Sequence, residues 1–334
     1  MQTRLFSTTV FGGILLLAGL GSGGAANAAP HSHRDWKADR DAYRTISIDR
    51  RVYAKPGTLD LAPTLLSAIQ IDAEDFRVKL EELTGARDTT VGDQTVRIAE
   101  RSTAAGRELA RKWLMQEYEK LGFKAELHVF AKGANVVAER KGTSGKVLIV
   151  SSHMDSVGNA GADDDGSGTI AALLIAQALK DLELKHTLRF VAFDLEETGL
   201  VGSRNYVADL KEPAQVVGAV HMEMMAYNSR RDGKFHLIDC DRGESVFLTK
   251  AIMESIQGRE LPLTRVKACT DRSDHASFWN AKIPAVVLSE NFFGGDGDVC
   301  YHRKCDVVDG RLDLKYASLI ATGVATAVSQ LVVR

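Results

Sequence analysis

The spacing of apolar and polar positions changes repeatedly along the chain, and the changes mark out an alternating series of elements. Over 105–121, Leu109, Trp113, Leu114 and Leu121 fall on or near one helical face and Gly122 follows, which predicts an amphipathic helix ending there. Extended runs are expected at 123–130 and 135–140. A turn at 142–145 leads into KVLIV at 146–150, a buried strand. The segment 166–180 contains AALLIAQAL and reads as a buried helix. Strand 187–194, helix 199–210, strand 215–224, helices 245–256 and 273–280, and strand 285–289 continue the series. Strands alternating with helices predict an α/β fold, a mostly parallel mixed β-sheet sandwiched by helices.

Two apolar segments need separate treatment. Residues 316–333 carry no charge, but their Ser, Thr and Gln content and their place at the end of an α/β series predict a core-packed helix rather than a membrane span. Near the start, Arg4 precedes an apolar run at 11–20 and an A-x-A site at Ala26, Asn27 and Ala28. The run is shorter than the roughly 20 residues of a membrane helix. It predicts a cleaved signal peptide over 1–28 and a secreted or periplasmic protein. Residues 29–75 have mixed charge and weak periodicity and read as an N-terminal extension or pro-segment. His31 and His33 look like a metal pair but are assigned to a solvated tail. The catalytic domain is expected over 76–334.

Composition narrows the function. The 42 Lys+Arg nearly balance the 44 Asp+Glu, which argues against nucleic acid or an anionic membrane surface as partner. Apolar content of 45% excludes global disorder. Export makes the four cysteines readable as disulfides, with three pairings open. Cys300 and Cys305 are close in sequence and favour a local bridge. That leaves Cys240 with Cys269 as the default second pair, the alternative being one free, buried pair.

The candidate chemistry gathers at strand ends. Strand 146–151 runs into His153 and Asp155, strand 187–194 into Glu196 and Glu197, and strand 215–222 ends on Glu223. In open α/β sheets, ligand sites lie outside the carboxyl ends of the strands. Between the first two strands lies GADDDGSG at 161–168, just before a helix. It lacks the spacing and final Glu of an EF-hand, and its three consecutive carboxylates repel one another unless a cation neutralises them. N-capping is the competing explanation for any one of them. His302 adds a second imidazole inside the short loop between Cys300 and Cys305. Nitrogen and oxygen donors without thiolate suit zinc, with manganese or cobalt as alternatives. A carboxylate shared by two metals, with another left free as base, is the arrangement of a two-metal hydrolase.

The ordered set HMDS at 153–156, GADDDGSG at 161–168, EETGLVGS at 196–203, EMMAY at 223–227, SDH at 273–275 and CYHRKCD at 300–306 resembles the secreted di-zinc aminopeptidases of the zinc-exopeptidase superfamily, the leucyl aminopeptidase and aminopeptidase Y type. The resemblance spans about residue 80 to the C terminus. It implies the zinc-exopeptidase (phosphorylase/hydrolase-like) fold, two zinc ions and peptide substrates with a free N terminus, the first residue Leu-like. It implies Asp164 as the bridging ligand, with His153 and Glu223 completing one site and Glu197 and His302 the other. Glu196 matches the general base. Asp155 matches a residue that orients His153, and Arg272, Asp274 and Tyr301 match positions that support the site or contact substrate. Many members carry Asp where Glu223 stands; Glu keeps the charge and reaches one methylene further. Phe278, Trp279, Phe292 and Phe293 are candidates for a hydrophobic pocket. The expected protein is a monomer without nucleic-acid or stable membrane association.

Two other classes compete with this one. A glutaminyl cyclase-like acyltransferase of the same superfamily would use one zinc, and the presence of both His153 and the Glu196–Glu197 pair argues against it. A non-catalytic receptor-type homologue would have lost ligands, whereas all five candidates are present. HExxH and GxSxG are absent, and the His221–Glu223 H-x-E lacks the P-C-x-x-C partner of a deaminase.

Overall fold

The computed structural model describes residues 69–333. The expected signal peptide, His31, His33 and the extension up to residue 68 lie outside the described residues.

Eight strands form one sheet: β3 (Lys124–Phe130), β4 (Gly133–Arg140), β5 (Val147–His153), β6 (Thr187–Phe193), β7 (Val216–Met222), β8 (Lys234–Ile238), β9 (Thr264–Val266) and β10 (Ala285–Glu290). Their order is β3-β4-β6-β5-β7-β10-β8-β9. The central run β6-β5-β7-β10 is parallel, and antiparallel strands flank it on both sides. A separate short hairpin pairs β1 (Thr89–Val91) with β2 (Gln94–Val96). The expected α/β architecture with a mostly parallel mixed sheet is the one observed.

Both faces of the sheet are covered, which is why its central strands are largely apolar. On β5, Leu148 and Val150 enter one core while Ile149 enters the other. The first core is closed by α1 (Ala73–Leu83), α2 (Ala104–Lys120), α3 (Gly168–Leu179), α5 (Val246–Gly258) and α7 (Leu314–Val333). The second is closed by α4 (Val201–Ala208) and α6 (His275–Asn280), through Tyr206, Phe278 and Trp279. Phe278 and Trp279 are therefore core residues, not pocket residues.

Helix α7 is long and apolar enough to cross a membrane, yet 83% of its most apolar window is buried inside the protein. It is the expected core helix. Ile71 donates its backbone N–H to Thr322 Oγ1 on α7 at 3.0 Å. Asp72 then caps α1 by accepting from the N–H groups of Glu74 and Asp75.

Local chemistry moved several element ends. The helix expected from 166 starts at Gly168, because Ala162–Ser167 forms a wide turn with non-helical backbone at Asp164 and Asp165. Strand β7 stops at Met222, and Met224 turns the chain with φ 47°. Helix α1 and strands β1, β2, β8 and β9 were not anticipated. These strands are three to five residues long, too short to establish a period.

Candidate metal centre

The carboxyl ends of β5, β6 and β7 lie side by side, and each delivers one part of a polar cluster. His153 is the last residue of β5 and is buried. The loop after β6 turns through Leu195, at φ 60°, and presents Glu196 and Glu197. Glu223 follows β7. His302, at φ 57°, sits in the loop closed by the Cys300–Cys305 disulfide. Leu195, Met224 and His302 hold a left-handed backbone that non-glycine residues rarely adopt, and all three adjoin this cluster. The second disulfide joins Cys240 and Cys269, so both expected bridges are present and no described cysteine is free.

Asp164 stands at the centre. Its Oδ1 lies 3.3 Å from His153 Nε2, and its Oδ2 lies 3.1 Å from His302 Nε2. Glu223 Oε1 is 3.5 Å from His153 Nε2, and Glu197 Oε2 is 3.1 Å from His302 Nε2. Two donor groups result, His153–Asp164–Glu223 and Asp164–Glu197–His302, with ligand atoms in each within 4.8 Å of one another. A third group, His153–Glu196–Glu197, meets the same criterion. Buried His153 Nδ1, Asp164 Oδ2 and Glu197 Oε1 have no hydrogen-bond partner. Imidazoles and carboxylates thus approach at ion-pair distance without hydrogen-bond alignment. Buried polar atoms in that state are costly unless something else satisfies them. A metal cation fits these donors.

Supporting hydrogen bonds fix the cluster. Asp155 Oδ1 accepts the backbone N–H of Glu196 at 3.0 Å, and its Oδ2 accepts that of Glu197 at 3.2 Å. The same carboxylate lies 3.4 Å from His153 Nδ1. Asp165 accepts from the backbone N–H groups of His153, Gly168 and Met224, joining the ends of β5 and β7 to the start of α3. A Cβ at Gly168 would lie 2.2 Å from Asp165 Oδ1, so only glycine permits this arrangement. Asp306 accepts from the N–H groups of Asp163 and Asp164. The longer Glu223 is held by the Ser273 hydroxyl, which donates to its Oε2, and His221 Nε2 lies 3.4 Å away.

The charges are strongly interdependent. Burial pushes the Glu196 carboxyl well above its ordinary range, opposed by His153. Burial and then Asp164 raise Glu197 to about 7. Burial works against charge on Glu223, but His153 and its hydrogen-bonding partners hold the carboxyl low. Burial also opposes charge on His302, yet its contacts with Asp164 and Glu197 raise it to about 10. Burial raises Asp274 to about 6, close enough to Glu196 for their charges to oppose each other. The imidazoles are the nearest positive charges for a set of carboxylates that outnumbers them.

A pocket partly open to solvent lies beside Glu223. Ile238, Val287, Phe292 and Phe293 give it apolar walls, and Tyr301 and Arg272 also line it. Tyr301 stacks on the His302 ring at a centroid distance of 3.8 Å. Arg272 is exposed.

The model of Peptidase family M28 matches residues 135–328, more than half of the chain, a range within which the five candidate ligands lie. The chain belongs to peptidase family M28. This M28 chain is 32% identical over 227 residues to leupeptin-inactivating enzyme 1 of Streptomyces exfoliatus, covering 60% of this chain and 50% of the relative. It is 30% identical over 214 residues to aminopeptidase Y of Saccharomyces cerevisiae, covering 59% and 39%. It thus spans half or less of the length of these relatives. Its fold is similar to that of the LapA aminopeptidase of Legionella pneumophila, with TM-score 0.70, 21% identity and coverage of 84% and 78%. It is also similar to BSAP, a zinc aminopeptidase from Bacillus subtilis, with TM-score 0.56, 24% identity and coverage of 60% and 50%. Glutaminyl cyclase of Porphyromonas gingivalis has the same fold, with TM-score 0.65, 17% identity and coverage of 78% and 99%.

The structure brings His153, Asp155, Asp164, Glu196, Glu197, Glu223 and His302 together, with Tyr301 and Asp274 adjoining. Sequence reasoning missed Asp165, Asp306, His221 and Ser273 as supports. Asp165 and Asp306 lie inside motifs already singled out. Ser273 lies in the SDH motif and His221 in the H-x-E noted above, but their contact with Glu223 became readable only once β7 and the 273–275 turn were side by side.

Proposed function

We propose that this chain is an exported aminopeptidase that removes a hydrophobic residue from the N terminus of peptides, at a centre holding two zinc ions. The observation that carries the reading is Asp164, which turns one carboxylate oxygen toward each imidazole and so belongs to two donor groups at once. His153 and Glu223 would hold one ion with it, Glu197 and His302 the other. Bound zinc supplies Lewis acidity toward the scissile carbonyl and lowers the pKa of water.

The chain's own residues do the rest. Glu196 takes the proton of the attacking water and returns it to the leaving amine, a role suited to a buried carboxyl whose proton affinity is raised. Asp155 fixes the Glu196–Glu197 turn and faces the far side of the His153 ring, holding both in one geometry. Tyr301 donates its hydroxyl to the carbonyl oxygen as charge develops there. The apolar cavity beside Glu223 receives the first side chain, with Phe292 and Phe293 as walls. Two disulfides support an oxidising compartment and hence export.

The test is hydrolysis of a leucine aryl-amide beside its N-acetylated twin. Cleavage of the free-amine form alone is expected. Equal cleavage of both moves the reading to an amidase or endopeptidase. Cleavage of neither, with cyclisation of an N-terminal Gln peptide, moves it to a glutaminyl cyclase.

A further inference from the structure

Arg101 is the only lysine or arginine that is buried among the described residues, with no exposed surface. It lies before β3, outside the family match and outside every motif singled out in the sequence. Its guanidinium forms no ion pair among the described residues. It donates instead to backbone carbonyls: Nε to Met154 at 2.6 Å, Nη2 to Gly161 at 2.8 Å, and Nη1 to Ala160 and, at 3.5 Å, to Leu83. Its own N–H donates to Ser156 Oγ at 3.0 Å. One residue therefore clasps both ends of the 154–161 loop, which leaves His153 and leads to Asp164. Gly161, at φ +60°, is packed so closely that a Cβ would lie 2.7 Å from Arg101 Nη2. The clasp extends further, because Ser156 Oγ donates to Asn159 O and Asn159 Nδ2 donates to the carbonyl of Arg303, next to His302. The buried charge faces Asp306, Asp155, Asp165 and Asp164.

We propose that Arg101 is a positioning residue for the metal centre: its fork of donors sets the loop between His153 and Asp164, and its permanent charge offsets the buried carboxylates before any metal arrives. Burying an unpaired guanidinium is costly, and four such carboxylates would repel one another without it. A lysine keeps the charge but not the planar fork that reaches these carbonyls together. The proposal rests on the functional reading above.

Zinc affinity, measured by competition with a chromophoric chelator, tests it on wild type, Arg101→Lys, Arg101→Met and a core control, Ile252→Ala on α5. Arg101→Lys is expected to bind zinc about 10–100-fold more weakly, as removal of outer-shell support typically does. At saturating zinc its kcat is expected to return to within about threefold of wild type. Ile252→Ala is expected to lower the thermal midpoint and leave zinc affinity within about twofold. If Arg101→Met does not fold, Arg101→Lys carries the test. Zinc binding by Arg101→Lys within about twofold of wild type overturns the proposal, as does an equal loss of affinity in Ile252→Ala. A wild type that takes up no zinc overturns the functional reading together with this one.

Discussion

The Asp155 carboxylate accepts the backbone N–H of Glu196 at 3.0 Å, so a residue at the end of one strand sets the turn that carries the proposed base at the end of the next. Its other oxygen takes the N–H of Glu197. Asp155→Asn keeps the shape but turns one acceptor into a donor facing an N–H. We expect kcat/KM to fall by about 10–100-fold with an unchanged circular dichroism spectrum. Unchanged kcat/KM would show that the turn holds itself.

Glu196→Gln separates base from ligand. The variant should bind zinc like wild type, and kcat should fall by about 10²–10⁴-fold, the usual contribution of general acid–base catalysis. A kcat within about threefold of wild type removes Glu196 from the role.

His302 owes its position to the Cys300–Cys305 loop, where its backbone is left-handed. Replacing both cysteines with serine should weaken zinc binding by about tenfold, toward the lower end of the effect of lost outer support. Chelator competition on the double variant measures this. Unchanged affinity would mean that Tyr301 stacking and the Asn159 contact suffice.

The pH dependence of stability follows from two histidines away from the metal centre or behind it. Burial lowers His236 from 6.5 to about 4 and His275 from 6.5 to about 3. His236 Nε2 accepts the N–H of Phe293, a wall of the apolar cavity, and its Nδ1 pairs with the Val266 carbonyl. Both folded-state values are depressed, so the unfolded chain takes up protons first as pH falls. The stability these rings contribute is complete above about 6.5 and is lost progressively toward pH 4 and below. His236→Gln should flatten the fall of the thermal midpoint between pH 6.5 and 4. A slope identical to wild type would exclude His236 as a source.

The readability of this protein divides along physical lines. The parallel core was legible because strands such as 146–150 are continuous apolar runs and α3 is apolar all round. The site was legible because those strands end on His or carboxylate, and chain order alone puts such ends on one edge of a sheet. Short elements such as β8 and β9 were not, since the pairing of β8 with β10 and of β9 with β8 is decided by neighbours distant in sequence. The supports were hidden for the same reason. Asp306 binds the backbone of residues 163 and 164 from more than a hundred positions away, and Arg101 serves carbonyls, which leave no mark in a sequence. The aromatic residues show the limit of local reading: Phe292 and Phe293 line the cavity, while Phe278 and Trp279 fill the core.

The claim on which everything else depends is that Asp164 is shared by two metal ions. Zinc per chain, measured by mass spectrometry on metal-stripped protein titrated with zinc and dialysed, with leucine aryl-amide hydrolysis followed in the same aliquots, tests it most directly. Two tightly held equivalents are expected, with activity reaching its plateau at the second. A single equivalent that saturates both binding and activity, or activity that persists in protein holding none, would contradict it.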